Sequence, residues 1–159
     1  MNFFINTVIF LGTFAFMEFM AWFTHKYILH CLLWNLHLDQ HDRKVKGKRW
    51  FERNDTFFLI FAVPSWLCIM YGMMNGSDFR VWVGAGIAVY GATYFIVHDI
   101  FIHQRFKILR HTKHPYFMAL RRAHQIHHKH QGKLEGECFG MLVVPPKYYR
   151  EARKNLRKA

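Results

Sequence analysis

The sequence predicts an all-α integral membrane protein with about three to four transmembrane helices and a cytoplasmic helical cap that holds a histidine-ligated dimetal site. Two observations lead to this prediction. First, apolar stretches of membrane length alternate with basic stretches in a chain of 159 residues that is 52% hydrophobic and carries a net charge of +12. Second, most of its twelve histidines fall into four tight clusters beside those apolar stretches. A chain of this length makes one domain, residues 1–159.

Three apolar segments have the length of a membrane span. The first covers Phe3–Phe23 with Glu18 as its only charge, the second covers residues 56–74, and the third covers residues 81–102. A hydrocarbon layer of about 30 Å needs about 20 helical residues, so each segment qualifies. The third segment contains glycines that let a neighbouring helix approach closely: Gly84, Gly86 and Gly91.

Positive charge is concentrated in residues 25–54 and residues 104–159, whereas the loop between the second and third segments is nearly uncharged. The positive-inside rule therefore places both basic regions in the cytoplasm and the N-terminus outside. All four histidine clusters then lie on the cytoplasmic face. A basic chain also suits nucleic acid. Charge that flanks apolar spans is better explained by anionic lipid headgroups, so membrane lipids and no nucleic acid are expected as partners.

The histidine clusters have the spacing of metal ligands. Their nine members are His25 and His30; His37 and His41; His98 and His103; and His124, His127 and His128. On a helix the second and fourth sets each share a face. The first and third are pairs five residues apart, separated by about 140° on an ideal helix. Such a pair suits either two neighbouring metals or a helix that loosens where it leaves the membrane. Nine histidines are too many for one ion, which favours a dinuclear site.

Ligand type alone does not choose the metal, because imidazole suits zinc, copper, iron and nickel. The chain contains no HExxH sequence and no Glu-x-x-His sequence, so it lacks the usual signatures of zinc proteases and of ferritin-like di-iron proteins. Two acids are candidates for supporting roles. Asp99 either orients the adjacent His98 or caps a helix end. Glu18 is either a functional group inside the membrane or a buried acid paired with another helix.

The order HxxxxH, HxxxH, HDxxxHQ and AHxxHH resembles the β-carotene hydroxylases of bacteria, within the fatty acid hydroxylase and sterol desaturase superfamily. The resemblance covers nearly the whole chain and includes Met17-Glu18, His103-Gln104-Arg105 and Phe139-Gly140. It implies an O2-dependent membrane monooxygenase with two non-haem iron ions. Such an enzyme hydroxylates C3 of β-ionone rings and converts β-carotene to β-cryptoxanthin and then zeaxanthin.

The resemblance also implies the partners and the site. The substrate is a carotenoid in the bilayer, electrons come from ferredoxin or a similar soluble donor, and the location is the bacterial inner membrane. The metal ligands, and hence the catalytic residues, are the nine clustered histidines: His25, His30, His37, His41, His98, His103, His124, His127 and His128. The family's second cluster usually reads HxxHH, so Gln40 stands in place of a histidine and is expected to be a weak ligand or an outer partner of one.

Two other functions remain open from the sequence. The first is hydroxylation of another membrane lipid, such as a fatty acyl chain or a sterol. The second is a non-enzymatic membrane metal-binding protein, which would bind metal without depending on O2 or a reductant. Within the hydroxylase hypothesis, Glu18 is expected to lie near the path by which the substrate enters between the apolar helices.

Overall fold

The computed structural model describes residues 2–34, 58–104, 111–129 and 137–157; most of these residues are helical, and there is no strand among them. We number five α-helices in chain order and name two π-helical continuations. The elements are α1 (Phe3–Phe23), the first π segment (Thr24–Leu32), α2 (Phe58–Met74), α3 (Phe79–Tyr94), the second π segment (Phe95–Ile102), α4 (Pro115–His127) and α5 (Pro146–Leu156).

The helices begin where the sequence supplies capping chemistry. The Asn2 side chain accepts a hydrogen bond from the amide of Phe4 at 3.2 Å at the start of α1. The Asp78 carboxylate accepts from the amide of Arg80 at 3.0 Å at the start of α3. Each bond satisfies a donor that the first helical turn cannot pair internally. Helices α4 and α5 each begin with proline, whose fixed φ suits the first helical position.

Helix α3 lies between α1 and α2 and packs against both. Two of its glycines make this packing possible. A Cβ on Gly84 would lie 2.7 Å from the Ser65 carbonyl oxygen of α2, and one on Gly86 would lie 2.9 Å from the Phe10 carbonyl oxygen of α1. The predicted role of these two glycines in close helix contact is therefore confirmed. Gly91 is different, because a Cβ there would meet nothing nearer than 3.8 Å.

Among the described residues, two continuous helices are long and apolar enough to cross a membrane. They are α1 with the first π segment, 30 residues, and α3 with the second π segment, 24 residues. Helix α2 is a shorter apolar helix of 17 residues, about 26 Å at 1.5 Å per residue, so a third span stays a prediction. Outward-facing apolar side chains are strongly exposed, for example Phe3 at 79% and Trp66 at 61%. Exposure on this scale suits contact with lipid.

Helix α4 lies against the second π segment and α5 packs on α4. The guanidinium of Arg121 in α4 donates to the Phe101 carbonyl oxygen at 3.1 Å and lies over the Phe101 ring at 4.4 Å. On the other side of α4, the small residues Ala119 and Ala123 pack with Tyr148 and Ala152 of α5. These contacts hold α4 across the ends of the two membrane-length helices, so its histidines meet those of the π segments.

Candidate metal centre

Both membrane-length helices widen to π-helix where their histidine pairs occur. The amide of His103 donates to the His98 carbonyl oxygen at 2.8 Å, and that of Leu33 donates to Ile28 at 2.8 Å. Bonds between residues five apart define a π-helix, a rare form that is concentrated at functional sites. Residues five apart then lie close together, which an α-helix does not allow. The sequence left two explanations for the spacing of five residues: ligands for two neighbouring metals, or a loosened helix. The structure shows the loosened helix, because both histidines of each pair belong to the same group of histidines.

The first histidine group consists of His25 and His30 from the first π segment and His127 from α4, all buried. The Nε2 atom of His127 lies 3.1 Å from Nε2 of His25 and 3.2 Å from Nε2 of His30. Three imidazole nitrogens from two distant parts of the chain therefore converge on one point.

The second histidine group joins His98 of the second π segment and His103, which directly follows that segment, to His124 of α4 and His128, which directly follows α4. Nε2 of His103 lies 3.1 Å from Nε2 of both His98 and His124, and 3.3 Å from that of His128. The Nε2 atoms of His124 and His128 are 2.8 Å apart. The predicted shared face of the α4 histidines is present, and it is divided between the two groups: His127 serves the first, while His124 and His128 serve the second.

Hydrogen bonds at Nδ1 orient the imidazoles. His25 Nδ1 lies 3.0 Å from the carbonyl oxygen of Phe139, and His127 Nδ1 lies 2.9 Å from that of Glu137. In the second group, His98 Nδ1 lies 2.9 Å from Asp99 Oδ1. A carbonyl or carboxylate oxygen accepts, so each Nδ1 carries the proton and each Nε2 presents its lone pair. Of the two roles that the sequence leaves open for Asp99, this contact is the one that orienting His98 requires, and the role itself stays a prediction.

A cation fits these groups better than hydrogen bonding does. Nε2 of His25 and Nε2 of His127 are both acceptors, yet they face one another at 3.1 Å. Two lone pairs at that distance repel unless a cation lies between them. Ligands about 2.1 Å from one metal and 90 to 109° apart are separated by about 3.0 to 3.4 Å. The distances between Nε2 atoms given above lie in this range, except the 2.8 Å between His124 and His128. The donor set, neutral imidazole, is one that iron, zinc, copper and nickel accept.

The electrostatics of the second group favour the neutral ligand form. Burial, followed by the neighbouring imidazoles of His128, His103, His98 and His127, holds the pKa of His124 well below its usual value. A low pKa keeps the imidazole unprotonated near neutral pH. A metal ligand must be in this form, because protonation removes the lone pair.

Glu18, the acid of α1, has hydrogen-bond partners on two parts of the chain. Its Oε1 accepts from the amides of Met141, Leu142 and Val143, and its Oε2 accepts from the Tyr90 hydroxyl of α3. The proposed proximity of Glu18 to the substrate path stays a prediction. His37, Gln40 and His41 lie outside the described residues, so their predicted roles as ligands also stay predictions.

Sequence reasoning missed three contributors to the centre. Two are backbone carbonyls, those of Glu137 and Phe139, which carry no side-chain signal. The third is Tyr90, which is fully buried at 0% exposure. Tyrosine in an apolar helix reads as a core residue, and only its 2.7 Å bond to Glu18 reveals a further task. The one signal in the sequence was Phe139-Gly140, which forms part of the family resemblance.

Comparison with known proteins agrees with this geometry. A family model described as fatty acid hydroxylase matches residues 10–144. The β-carotene hydroxylase of Pantoea ananas is 38% identical over 89% of this chain and 78% of its own length, and that of Pseudescherichia vulneris is 34% identical over 88% and 77%. The chloroplastic β-carotene hydroxylase 1 of Capsicum annuum is 35% identical over 81% of this chain but only 40% of its own length.

No solved structure gives a significant match. The family model covers most of the chain, including every histidine of the two converging groups. The chain belongs to the fatty acid hydroxylase family.

Proposed function

We propose that the protein is a carotenoid ring hydroxylase that introduces a hydroxyl group at C3 of β-ionone rings and converts β-carotene to β-cryptoxanthin and zeaxanthin. The observation that carries this proposal is the pair of histidine groups at the ends of two membrane-length helices. The relatives described as β-carotene hydroxylases, from bacteria and plants, supply the substrate class and the reaction.

Two iron ions, one in each histidine group, are the proposed metal. When bound, they supply the activation of O2 that attack on an unactivated ring C–H bond requires. The chain's own contribution is to hold seven imidazoles with Nε2 inward and to fix the tautomers of His25, His98 and His127 through Nδ1. His37 and His41 are proposed as further ligands, with Gln40 as a weaker one or an outer partner.

The proposed surroundings follow from the same arrangement. The chain forms a single membrane domain in the bacterial inner membrane, with three spans, an external N-terminus and the histidine groups facing the cytoplasm. A bilayer-dissolved polyene enters laterally from the lipid, and a soluble donor such as ferredoxin delivers electrons from the aqueous side. The exposed apolar side chains of α1 and α2 support contact with lipid.

Expression in cells that accumulate β-carotene tests the proposal. Chromatography of the pigments should show zeaxanthin or β-cryptoxanthin with the parent protein and none with His128→Ala. Product should also depend on O2. Unchanged β-carotene with well-expressed, metal-loaded parent protein would contradict the proposal and point to another membrane lipid as substrate. If Gln40→His then restored product, the defect would instead lie in the cluster of His37 and His41.

A further inference from the structure

The segment of residues 137–143, which we call the strap, connects the metal centre to the membrane helices. At one end, the carbonyl oxygens of Glu137 and Phe139 accept hydrogen bonds from Nδ1 of His127 and His25. Both histidines belong to the first group. The Phe139 ring is buried and makes edge contacts with the rings of this group, its centroid lying 5.0 Å from that of His127. The position of the strap therefore sets the orientation of two ligands of the first group.

The other end of the strap is held by Glu18. Three consecutive amides, those of Met141, Leu142 and Val143, donate to Glu18 Oε1 at 2.8, 2.8 and 3.0 Å. Successive N–H groups that point at one oxygen form a concave anion-binding nest. Hydrogen bonds to a carboxylate are roughly twice as strong as those between neutral groups. The contact joins residues more than 120 positions apart and ties the strap to α1.

Tyr90 fixes the carboxylate itself. Its hydroxyl donates to Glu18 Oε2 at 2.7 Å, and its ring is fully buried in the core between α1, α2 and α3. Phe14 of α1 and Phe61 of α2 contact that ring edge-on. Tyr90 is thus immobilised by packing on two helices, and it holds the Glu18 side chain in the rotamer that meets the strap.

Gly140 gives independent support for the close approach. A Cβ at this position would lie 2.9 Å from Glu18 Oε1, closer than real Cβ contacts. Any other residue at 140 would push the carboxylate and the strap apart. The absence of a side chain at this point therefore lets the Glu18 carboxylate meet the strap without a shift of either.

We propose that Glu18 and Tyr90 are positioning residues, which anchor the strap and thereby hold His25 and His127 in the orientation that binds metal. The inference rests on the proposed metal-binding function of the histidine groups. Its specific consequence is asymmetry. Loss of the anchor weakens the first group, whereas the second group, oriented by Asp99, keeps its geometry.

The position of the strap is testable without metal or turnover, because Cys138 lies on it. This thiol is half-buried, and burial raises its pKa to about 11, so little reactive thiolate is present near neutral pH. In a Cys31→Ser, Cys68→Ala background, labelling of Cys138 by a water-soluble maleimide should be slow. Glu18→Ala should increase the labelling rate about tenfold. The control Asp78→Asn, at a carboxylate that caps α3 and pairs with the Arg80 side chain far from the strap in sequence, should leave it unchanged. An unchanged rate in Glu18→Ala would overturn the proposal.

The consequence for the metal centre has its own readout. Outer partners of metal ligands typically contribute 10- to 100-fold to metal affinity. Chelator competition on purified, iron-loaded protein should show this loss at one of two sites in Glu18→Ala. Tyr90→Phe and Gly140→Ala should show smaller losses at the same site, and Glu18→Gln should recover part of the affinity. Equal loss at both sites, or none, would contradict the asymmetry. A parent protein that binds metal but forms no hydroxylated carotenoid would refute the proposed function and leave the anchor standing.

Discussion

The two histidine groups share α4 but are held in place in different ways. In the first group, the Nδ1 atoms of His25 and His127 donate to backbone carbonyls of a strap that reaches from a distant part of the chain. In the second, His98 donates to Asp99, its neighbour in sequence. The first arrangement depends on tertiary structure, whereas the second is local and carries a formal negative charge.

The largest effect on activity is expected from single variants that each remove one metal ligand, either from the first group or from the second. His127→Ala deletes a ligand of the first group only, and His124→Ala deletes one of the second. Each should lower zeaxanthin formation by more than the about 100-fold typical of outer-partner changes, because a dinuclear reaction needs both sites. The measurement is pigment chromatography at matched protein levels. His111→Ala serves as control, since that exposed histidine belongs to neither group. Full activity in either ligand variant would contradict the account.

A smaller effect is expected from Asp99→Asn, which keeps the shape of the side chain but removes the charge. Metal affinity of the second group should fall by about 10- to 100-fold, while that of the first should stay within about twofold. Chelator competition measures both. Asp78→Asn is the matched control, because it removes a carboxylate at the start of the same continuous helix, away from both groups. An equal loss of metal affinity at both groups in Asp99→Asn would contradict the view that each group is oriented by its own hydrogen-bond partners.

The smallest effect is a pH dependence of the metal-free protein. Burial and the surrounding imidazoles lower the pKa of His124 in the folded state, so the unfolded chain binds a proton that the folded chain resists. This penalty is absent above the unfolded pKa of about 6.5 and grows as the pH falls towards the folded pKa. The thermal midpoint in detergent should therefore fall between pH 7 and pH 5. His124→Asn should reduce the decline; an identical decline would show that His124 does not cause it.

The clustered histidines could be predicted as metal ligands from the sequence, because residue type and spacing alone indicate metal binding. Membrane-length apolar segments and basic flanks likewise predict helices with little need of tertiary information. The pairs at 25/30 and 98/103 were recognised as unsuited to a regular α-helix. The choice between two metals and a widened helix needed the observed bonds between residues five apart. Local sequence does not reveal that choice, because π-helix is stabilised by the contacts around it.

The groups that orient the histidines are harder to predict from the sequence, because most of them are distant in the chain. Asp99 was identified as a candidate because it adjoins His98 in the chain. Glu18 stood out as a charge within an apolar segment, but its partners are backbone amides more than 120 residues away. Backbone donors and acceptors are present at every position, so a sequence cannot mark those that serve the site. The hydrogen bonds that orient the first histidine group are therefore evident only from the structure.

The number of iron ions per chain tests the central claim most directly. Purified parent protein, loaded with Fe(II) without oxygen and freed of excess metal, should contain two irons per chain by mass spectrometry. His127→Ala and His124→Ala should each contain one, and the double variant none. One iron or none in the parent, or complete loss in either single variant, would contradict two separately held metal sites.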